Sequence, residues 1–223
     1  MQQTANRTAF IIDGFNLYHS VRKASADLGG VSTKWLDIRS LCDSYLHLVG
    51  NGAQTQGVYY FSALAHHLSV VNPGVVQRHQ DFNRCLRSSG VDVELARFKK
   101  KDIHFRTASA LGDDCSGTLK RHEEKETDVA IATKLFELFI NNQCDTALLV
   151  TGDTDLAPAC RTAQRLFPGK TIGFAFPYKR KNKELAKLAS LSFNIDKRHY
   201  ATHQFQDPFV LTNGKKVSKP PKW

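Results

Sequence analysis

Apolar residues along this chain fall into two kinds of run. Some are short and continuous, and others recur at helical spacing. Residues 8–13, TAFIID, form a brief apolar and β-branched run closed by an acid, which predicts a buried strand. Residues 14–25, GFNLYHSVRKAS, predict a helix with Asn16 near its N-cap. Apolar side chains at 35, 36, 38, 41, 42, 45, 46 and 48 predict a second helix over 35–48. A strand follows at 58–63, then a helix at 75–90 ending on Gly90, then an alternating strand at 91–98. The spacing in TDVAIATKLFELFINNQ predicts a helix over 127–143. TALLVT, 146–151, is the fourth strand, and the helix after it, 155–167, has Pro158 in its first turn. A fifth strand at 170–176, a helix at 182–190 and a short last strand at 191–196 complete the pattern.

Strands alternating with helices predict an α/β fold with a mainly parallel sheet and right-handed crossovers. No internal repeat is visible. The expected organisation is one domain over 1–204, interrupted by an irregular basic loop insertion at 99–122, with a loose basic tail over 205–223.

Composition narrows the function classes. Hydrophobic residues are 41% of the 223, enough for a core. Lys and Arg number 31 against 21 Asp and Glu, a net charge of +10, which favours a polyanionic partner and RNA or DNA above all. No run of 18 apolar residues occurs, so no membrane partner is expected. The N-terminal stretch lacks the pattern of a signal peptide. Five scattered cysteines without a C-x-x-C predict buried thiols in a reducing, cytoplasmic setting.

Sites in open parallel sheets form at the carboxyl ends of strands. Asp13 closes the first predicted strand, and Asp153 and Asp155 follow the fourth. Asp128 opens a helix whose apolar stripe, Ile131, Leu135, Phe136 and Phe139, places it on the inward face. Each acid alone could be a turn residue or a cap, and Thr127 could supply the helix cap instead of Asp128. Four together would repel one another unless a cation bridged them. Oxygen ligands suit Mg²⁺ or Mn²⁺, ions that polarise phosphates and acidify bound water.

FIIDGFNLYHS and EKETDVAIATKLFELFINNQCDTALLVTGDTDLAP resemble the NYN domain, a PIN-like nuclease fold of the LabA group. The resemblance spans roughly residues 8–200 in element order. It implies a three-layer α/β/α sandwich and a metal-dependent ribonuclease. It implies that Asp13, Asp128, Asp153 and Asp155 hold the metal, and that Asn16 touches its water shell or the substrate. Thr151 is implied as a hydroxyl that bonds at the site and contacts substrate. Glu126 is expected beside the cluster without holding metal. PIN-like folds also often self-associate or work with a regulatory partner.

Candidate RNA-binding groups are Lys99, Lys100, Lys101, Arg106, Lys120, Arg121, Lys179, Arg180, Lys181 and Lys183, with Tyr178 and Phe105 as stacking rings. His66 and His67 follow the second strand, where substrate contact competes with a plain structural role. His104, Cys115 and His122 lack metal-ligand spacing, so the segment carrying them reads as a substrate-binding loop. The leading function is an endoribonuclease acting on single-stranded or loop RNA, tRNA included. The alternatives are a non-catalytic RNA-binding or assembly module and chemistry on an aromatic small molecule. Phe15 occupies the position where a haloacid-dehalogenase-type phosphatase needs a second acid, which excludes that class. Neither a dinucleotide fingerprint nor a P-loop is present.

Overall fold

The structure, a computed structural model, describes residues 5–107, 115–221 and 223, with 97–107 and 115–125 given by backbone alone. In chain order the elements are β1 (Arg7–Asp13), α1 (Gly14–Asp27), α2 (Ile38–Ser44), β2 (Gln54–Ala63), α3 (Val75–Ser88), β3 (Asp92–Thr107) and β4 (Cys115–Lys125). Then come α4 (Thr127–Ile140), β5 (Thr146–Val150), α5 (Ala157–Leu166), β6 (Thr171–Phe176), α6 (Lys183–Leu188), β7 (Leu191–Asn194) and α7 (Lys197–Thr202). A two-stranded ribbon, β8 (Phe209–Val210) and β9 (Lys216–Val217), lies in the tail.

The main sheet has the order β4-β3-β2-β1-β5-β6-β7. Every neighbouring pair is parallel except β3 and β4. The central strand explains the layering. Successive side chains of β1 point to opposite faces. Phe10 and Ile12 enter one core with Leu17, Leu41 and Leu86 of α1, α2 and α3. Ala9 and Ile11 enter the other with Ile131, Leu135, Cys160 and Leu185 of α4, α5 and α6. A strand buried on both faces is expected to be apolar, as this one is from Ala9 to Ile12, before Asp13. The result is the expected α/β/α sandwich. Cys42, Cys85, Cys144 and Cys160 are buried free thiols. Burial pushes Cys160 up to about 12 and Cys144 to about 11, which keeps them protonated.

Three expectations need correction. The helix expected over 35–48 runs only from Ile38 to Ser44, because the Asp37 carboxylate accepts the Ser40 N–H at 3.0 Å and starts it later. Trp35 lies before that cap and is wholly buried. The described residues of the segment 99–122 are not an irregular loop: Asp92–Thr107 and Cys115–Lys125 pair as long antiparallel strands, in register from Arg97 opposite Lys125 to Thr107 opposite Cys115. Only Asp92–Ala96 of β3 pair with β2, so the rest extends past the parallel sheet as a two-stranded arm. Charged and polar residues without a one-sided apolar alternation concealed these strands.

The tail is also not loose. Phe205, Leu211 and Val217 are buried in the first core. The ring of Trp223 stands 6.1 Å from Trp35 and 5.3 Å from Phe82. Trp35 also packs against Phe205 at 5.8 Å, and burying such rings is worth several times a methylene each.

Candidate metal-binding active site

β1 and β5 lie side by side, with Ile12 opposite Val150, so both chains leave the sheet at the same place. The backbone turns there are held by side chains. Asp13 Oδ1 accepts the Asn16 N–H at 2.9 Å, which makes Asp13 itself the N-cap of α1 in place of the predicted Asn16. Asn16 Oδ1 instead accepts the Gly152 N–H at 3.2 Å and ties α1 to the exit of β5. Thr151 Oγ1 donates to Asp13 Oδ2 at 2.9 Å and accepts the Asp153 N–H at 3.1 Å. Asp153 Oδ1 accepts the Asp155 N–H at 3.1 Å and so starts the short turn Thr154–Leu156 that leads into α5.

A third carboxylate arrives from α4. Glu126 takes the cap position with a left-handed backbone, φ 80°, and Thr127 is the first helical residue, buried, in place of the cap expected there. Asp128 then stands in the first turn. One carboxylate oxygen from each of Asp13, Asp128 and Asp153 lies within 4.8 Å of the others. Asp13 is 5% exposed, and its burial raises its proton affinity against the opposing hydrogen bonds from Asn16 and Thr151. Asp128 is pushed up to about 6, first by desolvation and then by the charges of Asp153, Asp13 and Asp155.

The donor set suits a divalent cation, because three oxygens of like charge held this close are stabilised by one. Asp155 is exposed and stands outside the group of three, although its charge is felt by Asp128.

Gly152 shows why the strand ends as it does. A β-carbon there would overlap the backbone carbonyl of Arg180. The segment after β6 therefore packs against the exit of β5, which sets the backbone of exposed Arg180 against Gly152, the residue before Asp153. The charge of Arg180, after burial, lowers the proton affinity of His19.

Other expected site residues fall elsewhere. Thr151 is 1% exposed with its hydroxyl engaged by Asp13 and Asp153, so it orders the carboxylates and is not open to substrate. Lys179 points to the far end of α1 and pairs with Asp27 at 2.9 Å, where it and Lys23 hold that carboxyl below the usual range. The Tyr178 hydroxyl donates to the same Asp27 at 3.2 Å, so that ring is fixed away from the cluster. Lys181 and Lys183 are exposed. The side chains of Lys99, Lys100, Lys101, His104, Phe105, Arg106, Cys115, Lys120, Arg121 and His122 lie outside the described residues.

His67 lines a cavity of about 260 Å³ that opens next to Gly14 and Phe15. That cavity had no sequence signal beyond the aromatic residues of α1 and α3, which read as ordinary core.

Comparison with known proteins agrees with this architecture. The family model of the NYN domain matches residues 7–196. The chain is 25% identical, over 242 residues, to the 6-hydroxy-3-succinoylpyridine 3-monooxygenase HspA of Pseudomonas putida, covering 97% of this chain and 75% of that protein. A solved structure of a protein of unknown function from Vibrio parahaemolyticus shares the fold at a TM-score of 0.55 and 19% identity, covering 88% of this chain and 97% of the other.

Proposed function

The chain belongs to the NYN domain family, a branch of the PIN-like nucleases, and we propose that it is a divalent-metal-dependent endoribonuclease acting on single-stranded or loop RNA. The observation that carries this reading is the convergence of Asp13, Asp128 and Asp153, from three separate elements, within 4.8 Å. These three would hold Mg²⁺ or Mn²⁺, with Asp155 adding negative charge nearby. A cation bound there supplies Lewis-acid polarisation of a phosphate oxygen and a water of lowered pKa.

The chain's own residues do the rest. Asn16 and Thr151 hold two strand exits together, so the carboxylates are set before substrate arrives. Arg180, whose backbone packs on Gly152, is proposed to pair with a phosphate of the bound strand. The net charge of +10 draws a polyanion to the surface whatever its sequence. Lys99, Lys100, Lys101 and Lys181 are proposed to contribute to that attraction.

The test is cleavage of labelled total RNA and tRNA with Mn²⁺, with Mg²⁺ and with EDTA, comparing wild type and Asp153→Asn. Metal-dependent cutting lost in the variant is the expected result. RNA bound and never cut would leave a non-catalytic binding module. A second reading, chemistry on a heteroaromatic small molecule, has support from the relative named for its pyridine substrate. RNA neither bound nor cut would favour it.

A further inference from the structure

The cavity of about 260 Å³ lies on the α1 and α3 side of the sheet, and Gly14 and Phe15 at the start of α1 are among its lining residues. These are the two residues directly after Asp13, and consecutive α-carbons are about 3.8 Å apart. The cavity therefore begins one residue past Asp13 along the backbone. Its walls are rings: Tyr18 of α1, Tyr60 of β2, His79 and Phe82 of α3, and Trp223. His79 stands 6.3 Å from Tyr18 and 6.1 Å from Trp223, each edge-on. Such a box offers ring faces to another flat ring.

Two polar side chains make it more than an apolar hole. Asn83 lines the cavity and is only 5% exposed, yet among the described residues its amide has no hydrogen-bond partner. That amide carries both a donor and an acceptor, free to meet a molecule that enters the cavity. His79 lies four residues earlier on α3, on the same helix face. Its imidazole is likewise without a hydrogen-bond partner among the described residues. Burial, then the charges of Arg78 and Lys34, keep that ring neutral, with one nitrogen to donate and one to accept.

We propose that this cavity holds a nucleobase of the RNA strand whose phosphate lies at Asp13, Asp128 and Asp153, with the ring against Tyr18 and Trp223 and its edge bonded by Asn83 and His79. The inference rests on the nuclease reading. A nucleobase is favoured over a free heteroaromatic acid because, among the described residues, no lysine or arginine lines the cavity to pair with a free carboxylate. Arg180, packed on Gly152 by its backbone, adds a cation for a continuing phosphate chain. An amide also pairs a base edge through adjoining donor and acceptor, and bases of single strands are free to be splayed out.

The chain has two tryptophans, and Trp35 is wholly buried, so a ring on Trp223 is readable as quenched fluorescence. The experiment titrates AMP, GMP, UMP and nicotinate into wild type, Asn83→Leu and Trp223→Phe, with EDTA and with Mn²⁺, and measures RNA cleavage and melting in parallel. Purine nucleotides are expected to quench best, because their ring face is larger. Asn83→Leu should weaken them about tenfold, the effect of losing one good base contact, while its melting temperature holds or rises. A lower melting temperature with unchanged nucleotide affinity would make Asn83 structural and overturn the proposal. Quenching by nicotinate alone, or by no probe, would also overturn it. Cleavage abolished by Asp153→Asn without nucleotide quenching removes the base subsite and leaves the nuclease standing. Asn83-dependent nucleotide quenching without any cleavage does the reverse.

Discussion

The Thr151 hydroxyl donates to Asp13 Oδ2 across 2.9 Å, and the two residues are 138 positions apart in sequence. The same oxygen receives the Asp153 N–H. One small side chain thus sets two of the three clustered carboxylates. Thr151→Val keeps the shape and removes both bonds, leaving buried polar groups unpaired. The expected cost is about 1–3 kcal/mol in a denaturant titration, with cleavage reduced as well. Thr151→Ser should recover most of both.

Asp153→Asn tests the chemistry more directly. Cleavage in Mn²⁺ should fall at least about a hundredfold. Circular dichroism and melting should stay close to wild type, since asparagine can still accept the Asp155 N–H. A collapse of the fold would make Asp153 structural.

The raised proton affinity of Asp128 gives a pH test with a definite sign. Its folded value, about 6, lies above the ordinary 3.8, so the folded state holds the proton more tightly than the unfolded chain. Ionising it therefore opposes folding, fully above about pH 6 and not at all below about pH 4. Without metal, Asp128→Asn should melt higher than wild type near pH 7.5 and no differently near pH 4. Mn²⁺ or Mg²⁺ should raise the melting temperature of wild type and not of Asp153→Asn. That rise should shrink as acid protonates Asp128.

Gly152→Ala probes the packing behind the site. Its methyl would meet the Arg180 carbonyl, so the segment after β6 must shift. Destabilisation of about 1–3 kcal/mol is expected, together with weaker RNA binding as Arg180 moves.

Phe205→Ala tests whether the tail belongs to the core. Phe205 is buried, with its ring 5.8 Å from Trp35 and 4.7 Å from Phe209. Its removal should cost about 3–5 kcal/mol in equilibrium unfolding.

Much of this was legible from residue order alone. The parallel sheet follows from runs such as AFIID and TALLV set between helical repeats, and an acid at the end of each places Asp13 and Asp153 at one edge. Asp128 was legible because it stands in phase with the inward stripe of α4. Contacts between distant segments were not. Lys179 and Tyr178 read as RNA contacts until their partner Asp27 is seen, which lies 151 residues from Tyr178. The cavity joins residues from α1, β2, α3 and the tail, whose rings taken one at a time look like core. The β3–β4 arm lacks the one-sided apolar pattern that marks a strand over a core.

The clustered acids also have an order in time. Synthesis delivers Asp13 first, Asp128 much later, and Asp153 with Thr151 only after about two-thirds of these 223 residues. On the nuclease reading, a growing chain that stops short of β5 holds two of the three carboxylates and lacks the hydroxyl that aligns them. On that reading the ribosome, itself built of RNA, meets no complete blade until β5 has been made.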